Sequence, residues 1–265
     1  MLIPCVYGET ENYNEYSDIL ISYNFNTEIE LLGGTQLSYL IANLTLLPLE
    51  EDRQTIIDLD IESNPSSEID QGNNYITYTW NEYSSKLEMN VNSKIKTENI
   101  LYKLDHVDFP ISNLNEEYQY YLQEGQKIDI TDEISDKASE IVMGETNLYS
   151  AVFKLADWTR NNIEYDLNSM TAKAALESSW VLENRQGVCD EITSLFISFA
   201  RSVGIPARFI SGTAYTNVDY TFGNHGWAEV YFPGYGWVPY DVTFGEYGWL
   251  NPGHITLSKS LDSAN

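Results

Sequence analysis

Cys189, His225 and Asp241 follow one another in the second half of the chain, each inside a stretch whose patterning predicts a defined element. After Gly187-Val188-Cys189, the apolar residues Ile192, Phe196, Phe199 and Val203 recur at helical spacing, so a helix is expected to begin at the cysteine. The run from His225 to Phe232 alternates, with Trp227, Glu229 and Tyr231 on one face and Ala228, Val230 and Phe232 on the other, the period of a strand. Pro233-Gly234-Tyr235-Gly236 reads as a turn, and a second short apolar run, Trp237 to Tyr240, ends at Asp241. An antiparallel hairpin of these two strands carries His225 at the start of one and Asp241 at the end of the other, which brings the imidazole and the carboxylate together.

The chemistry that such a trio supports is specific. A thiol attacks a carbonyl as thiolate, and an imidazole within hydrogen-bond reach holds it as a thiolate–imidazolium pair. A carboxylate on the other ring nitrogen fixes the tautomer. The partial positive charge of a helix N-terminus favours thiolate further, and Gly187 allows a tight turn just before it. Taken singly these residues have duller uses, since a free Cys on an apolar helix face is ordinarily a small buried hydrophobe. It is their order and flanking sequence that point to nucleophilic catalysis.

Gly187-Val188-Cys189, Leu195-Phe196, Ala200-Arg201, Gly204-Ile205-Pro206-Ala207-Arg208, His225-Gly226-Trp227-Ala228-Glu229-Val230 and Gly236-Trp237-Val238-Pro239-Tyr240-Asp241-Val242-Thr243 together resemble the core of the transglutaminase-like superfamily. The resemblance runs from Ile134 to Leu261. It implies an α+β, papain-like core in which a Cys-bearing helix packs on an antiparallel sheet, with Cys189 as nucleophile, His225 as general base and acid, and Asp241 as the orienting residue. Two positions depart from the usual pattern: Gly226 stands where alanine is more common, and Val242 where proline is. Gln186 and Trp180 are candidates for the oxyanion or substrate site, and Trp227 with Tyr215, Tyr220, Phe222 and Tyr247 could line a cleft or serve as core. Arg208 is expected in a structural ion pair.

Other chemistries find less support. His106 and His254 lie far apart beside single acidic residues, and Cys5 is remote from Cys189, so no zinc-ligand spacing appears; neither metal nor cofactor is expected. Gly33-Gly34 lacks the following helix that a phosphate-binding loop needs and reads as a hairpin turn. With 14 basic against 40 acidic residues and a net charge of −26, nucleic acid is excluded as a partner, and a peptide or protein substrate is expected, cationic groups fitting best. No segment reaches the length of a membrane span. If the natural chain extends upstream of Met1, an extracellular or cell-surface location is favoured, and otherwise a cytoplasmic one; Asn43-Leu44-Thr45 is a single glycosylation-type tripeptide. Oligomeric state is not legible.

Residues 1–125 read as a β-sandwich domain and 126–265 as the catalytic domain. Strands are expected over Asp18 to Phe25, Ser38 to Leu46, Arg53 to Ile61, Tyr75 to Asn81 and Lys86 to Lys96, separated by turn clusters. The pattern becomes helical from Thr131-Asp132-Glu133-Ile134, continues through Leu148 to Ile163 and again from Thr171 to Leu182, and a last strand is expected near Gly253 to Leu257. In the superfamily, a layout with a β-rich N-terminal domain is of microbial or archaeal type. The expected function is thiol-dependent acyl transfer, in the form of a cysteine peptidase or amidase cleaving peptide or isopeptide amides through a thioester on Cys189. Gln–Lys crosslinking and a catalytically silent binding module are the alternatives.

Overall fold

Two three-stranded antiparallel sheets form the N-terminal part of the computed structural model, which describes residues 17–32, 38–72, 75–81, 85–167, 176–216 and 220–264. The strands are β1 (Asp18–Glu30), β2 (Leu40–Leu44), β3 (Gln54–Asn64), β4 (Glu68–Gln71), β5 (Ile76–Trp80) and β6 (Lys86–Glu98). One sheet runs β1-β6-β3 and the other β2-β5-β4. Alternation decides which face is inside: Leu87, Met89 and Val91 of β6 are buried against Ile76, Tyr78 and Trp80 of β5, so the sheets close on a shared apolar layer. The outer face is polar, with Asn24 Nδ2 donating to Asn92 Oδ1 at 2.7 Å across β1 and β6. Strand β4 was not anticipated; it is short and fully exposed, so no apolar alternation marks it. Gly33-Gly34 and Cys5 lie outside the described residues.

After β6 an extended segment carries Tyr102, Leu104, Val107, Phe109 and Ile111 onto the second core. A short helix α1 (Glu116–Gln119), continued by a tight turn at Tyr120–Leu122, leads to α2 (Asp132–Ile141) and α3 (Leu148–Asn162). Thr131 caps α2, its Oγ1 accepting from Ile134 N at 3.3 Å, and Asn147 caps α3 in the same way. Then come β7 (Glu164–Tyr165), α4 (Ser178–Asn184), β8 (Gln186–Gly187) and α5 (Cys189–Ser202). The helix expected over Thr171 to Leu182 is corrected to α4, which starts at Ser178 and ends where Arg185 adopts a left-handed conformation at φ 59°; residues 168–175 lie outside the described residues.

The remaining strands, β9 (Ala207–Thr216), β10 (Thr221–Phe232), β11 (Gly236–Asp241), β12 (Glu246–Tyr247) and β13 (His254–Ser260), form one antiparallel sheet in the order β12-β11-β10-β9-β13. Helix α5 lies across it with every residue from Glu191 to Arg201 buried, and Leu195, Phe196, Phe199, Ala228, Val230 and Tyr240 share its core. This is the α+β arrangement expected: a Cys-bearing helix on an antiparallel sheet, preceded by a β-sandwich. Gly204, at φ +80°, turns the chain out of α5 where a side chain would be strained. Arg208 pairs with Glu229, its Nε donating to Oε2 at 2.7 Å, while its guanidinium lies 4.1 Å from the Trp237 ring centroid.

Candidate active site

Cys189 is the first residue of α5, held there by Glu191. One Glu191 oxygen accepts from Val188 N at 3.1 Å and the other from Leu176 N at 3.2 Å, so a single buried carboxylate ties together the chain on both sides of α4. Its packing also explains Gly187: a Cβ there would lie 2.7 Å from the Glu191 Cβ. At the opposite wall Thr193 Oγ1 donates to Gly226 O at 3.1 Å, fixing α5 to β10 beside His225.

His225 is inside β10 rather than at its start, because β10 begins four residues earlier, paired with β9 from Thr221↔Thr216 onward. The consequence of the hairpin is unchanged. The register pairs Ala228 with Tyr240, which leaves Asp241 diagonal to His225. His225 Nε2 lies 2.7 Å from Asp241 Oδ2, and Cys189 is near enough to the same imidazole to raise its proton affinity. Asp241 is wholly buried and accepts on both oxygens: Oδ1 from the backbone N–H groups of Thr243 and Phe244, each at 2.9 Å, and Oδ2 from His225. Phe244 stacks on the far face of the His225 ring, centroids 4.6 Å apart.

The electrostatics follow from burial and neighbours. Burial alone would lower the proton affinity of His225, but the charge of Asp241, its hydrogen bond and the contact with Cys189 together push the imidazolium up to about 10. Burial would raise Asp241, yet His225 and the hydrogen bonds around it hold the carboxyl well below the usual carboxylate range. A buried carboxylate at this position, facing an imidazolium, is what keeps a base and acid poised beside a thiol.

Three neighbours had not been singled out. Asp190 follows the cysteine and its Oδ1 accepts from Cys189 Sγ at 3.6 Å; burial pushes its carboxyl up, with the Cys189 hydrogen bond opposing. Tyr165, half exposed on β7, pairs in parallel with Gly187, two residues before the cysteine, and burial followed by the charges of Cys189 and Asp190 raises its phenol. His254, the first residue of β13, has Nε2 at 3.0 Å from Asp241 Oδ2, the oxygen His225 also uses. His225, Asp241 and His254 offer ligand-type atoms within 4.8 Å of one another. Here both imidazoles spend Nε2 on one carboxylate oxygen, the geometry of a hydrogen-bond network. No spacing in the sequence marks His254, since the strand pairing that delivers it, β13 on β9, joins distant segments.

The other expected residues are placed as follows. Gln186 is half-buried on β8, paired through its backbone with Glu164, and Trp180 packs on the helical core from α4. Of the two uses open to Trp227, cleft or core, its position is that of core: it is fully buried, packed with Ile210 and Leu250 and edge-on to His254 at 5.2 Å. Tyr215 and Phe222 form a cross-strand pair, centroids 5.4 Å apart, Tyr220 is exposed, and Tyr247 stacks on Tyr240. The departure at Gly226 has a local cause: a Cβ there would lie 2.5 Å from Phe209 Cζ and 2.6 Å from Asp190 Oδ1.

Residues 135–242 match the family model described as the transglutaminase-like superfamily. This stretch is similar to a transglutaminase-like core. The match spans α2 through the end of the β10–β11 hairpin and so contains Cys189, His225 and Asp241. Among known proteins, the chain is 28% identical over 185 residues to the uncharacterized protein YebA of Bacillus subtilis (strain 168); the alignment takes in 62% of this chain but spans only 24% of that protein. An uncharacterized protein of Haemophilus influenzae is 26% identical over 257 residues, covering 82% of this chain and 69% of that one. A crystal structure from Cytophaga hutchinsonii, provisionally described as a cysteine protease, superposes with a TM-score of 0.69 at 21% identity, over 94% of this chain and 83% of that chain. That superposition takes in the β-sandwich as well as the transglutaminase-like core, and at such low identity it speaks to the fold.

Proposed function

We propose that the chain is a thiol-dependent acyl-transfer enzyme, and specifically a cysteine peptidase or amidase. The observation that carries this reading is the buried 2.7 Å bond between His225 and Asp241, set beside a cysteine that opens helix α5 and raises the imidazole's proton affinity. Cys189 as thiolate attacks an amide carbonyl, the carbon–nitrogen bond breaks, and His225 delivers its proton to the departing amine, leaving a thioester on Cys189. His225, now neutral, takes a proton from water as water attacks the thioester, which releases the acid and restores the thiol. Asp241 holds the ring by Nε2, which leaves Nδ1 as the nitrogen available to the sulfur.

The test has two parts. Iodoacetamide labelling of Cys189, located by peptide mass spectrometry, is expected to be fast below pH 7 and to move in His225→Ala toward the ~8.5 of an unperturbed thiol. A peptide library incubated with and without a primary amine then separates hydrolysis from transfer: new carboxyl termini or glutamate are expected, and an amine adduct as the main product assigns crosslinking instead. A wild-type Cys189 that labels only as an ordinary thiol defeats the enzyme reading and leaves a binding module.

A further inference from the structure

We infer that His254 is a positioning residue for the Cys189–His225–Asp241 site, and that the N-terminal β-sandwich is the device that holds it there. The inference rests on the acyl-transfer reading of that site. Its starting point is the shared oxygen. His225 and His254 approach Asp241 Oδ2 at 2.7 Å and 3.0 Å, and with two backbone N–H groups on Oδ1 the carboxylate has four donors and no exposure to water. Since an ionised carboxylate only accepts, His254 must carry a proton on Nε2.

The surroundings of His254 fix the ring on every side. Its Nδ1 faces Asn251 O at 3.3 Å and Glu246 Oε2 at 4.0 Å, the edge of the Trp227 ring lies against it, and the Phe244 ring is 5.5 Å away. Glu246 in turn accepts from Asn251 N and Asn251 Nδ2 at 2.8 Å and 2.7 Å, which shapes the loop that leads into β13. The charged or titratable groups about His254 are Asp241, Glu246, His225 and, at its backbone carbonyl, Arg53.

What presses this loop onto the site comes from the sandwich. Arg53, buried beside β3, donates from Nη1 to His254 O at 3.1 Å and from Nη2 to Asn251 O at 3.2 Å. Gln54 brackets Thr256, Nε2 donating to its carbonyl at 2.9 Å and Oε1 accepting from its N–H at 2.8 Å, while Thr97 Oγ1 donates to Pro252 O. Ile21 and Ile95 pack with Ile255 and Leu257 beneath these bonds. The sandwich is thus wired through Arg53, His254 and Asp241 to His225, and is part of the working site.

The physical consequence concerns where the proton of the His225–Asp241 pair resides. A buried carboxylate deprived of a donor is less well solvated and its proton affinity rises. The proton between the two then moves toward Asp241, the imidazolium that stabilises the thiolate is lost, and no atom touching substrate has been changed.

The test is the pH profile of Cys189 labelling in the full chain, with thermal unfolding recorded in parallel. His254→Leu keeps apolar volume and removes the donor; His254→Gln keeps an amide N–H near the place of Nε2. The Leu variant is expected to label about tenfold more slowly at pH 6, one pH unit in thiolate fraction, and the Gln variant to recover most of that loss. Arg53→Gln leaves Cys189, His225, Asp241 and His254 in place and is expected to move the profile in the same direction by less; it carries the test if His254→Leu does not fold. Folded variants with the wild-type profile overturn the inference, as do Leu and Gln variants shifted equally, which would make the role one of volume. A wild-type profile already that of an ordinary thiol defeats the acyl-transfer reading itself, a separate result.

Discussion

Gly226→Ala installs beside His225 the residue that the family pattern favours, and the structure states its cost. The new Cβ would stand 2.5 Å from Phe209 Cζ, 3.2 Å from Phe209 Cε1 and 2.6 Å from Asp190 Oδ1. Phe209 is 2% exposed and belongs to the main core, so its ring has little room to retreat. Overpacking of this kind costs about 1–3 kcal/mol. Replacing a strand glycine recovers ~0.5–1 kcal/mol of backbone entropy, so the net loss is about 0.5–2 kcal/mol. For a chain of this size that lowers Tm by roughly 1–8 °C, measurable by circular dichroism or calorimetry. Phe209→Leu should relieve the clash, giving the double variant a favourable coupling of about 1 kcal/mol. Asp190 is the softer of the two neighbours, and if it swings away it leaves Cys189 Sγ, so the labelling rate of Cys189 should change in the single variant and return in the double. A Gly226→Ala protein as stable as wild type, with no coupling to Phe209, would refute the argument that this glycine is required by close packing.

Other perturbations follow from the same contacts. His225 is held at about 10 against an ordinary value near 6.5, so its pairing with Asp241 stabilises the fold fully below about pH 6.5 and is lost as pH rises toward 10; Asp241→Asn should flatten that part of the Tm-versus-pH curve, and parallel curves would count against the pair. The depressed Asp241 contributes in the opposite sense, its stabilisation being present above about pH 4 and lost only in strong acid. Arg208→Met leaves Glu229 buried without its main partner and is expected to cost about 3 kcal/mol in denaturant unfolding, much of it regained in Arg208→Met/Glu229→Leu; an additive double variant would argue against the pair. Glu191→Ala frees Val188 N and Leu176 N together, and is expected to slow Cys189 labelling at neutral pH while His225 still titrates, as read by proton NMR; an unchanged labelling rate would remove Glu191 from the placement of the nucleophile.

Much of the site could be read from local pattern because its parts are local. The apolar spacing after Cys189 makes α5, and the turn at Pro233 to Gly236 closes β10 onto β11, so sequence periodicity alone brings His225 to Asp241. The β-sandwich was legible for the same reason, through alternation in β1, β3, β5 and β6, whereas β4, with no buried residue, left no trace. Element limits shifted where a cap or partner strand decided them: Arg185 ends α4 by adopting positive φ, and β10 starts at Thr221 because β9 is there to pair with it.

The sequence by itself determined the order of thiol, imidazole and carboxylate, the helix and hairpin that carry them, and the acidic surface. Only the tertiary structure decided that Asp241 serves two histidines, that Asp190 fills the space Gly226 leaves, that Trp227 is core, and that Arg53 and Gln54 grip a strand some two hundred residues away. The reason is physical. Periodicity and turn chemistry act over a few residues and leave their mark in neighbouring letters, while a hydrogen bond between distant segments exists only after a sheet has chosen its edges and a core has closed.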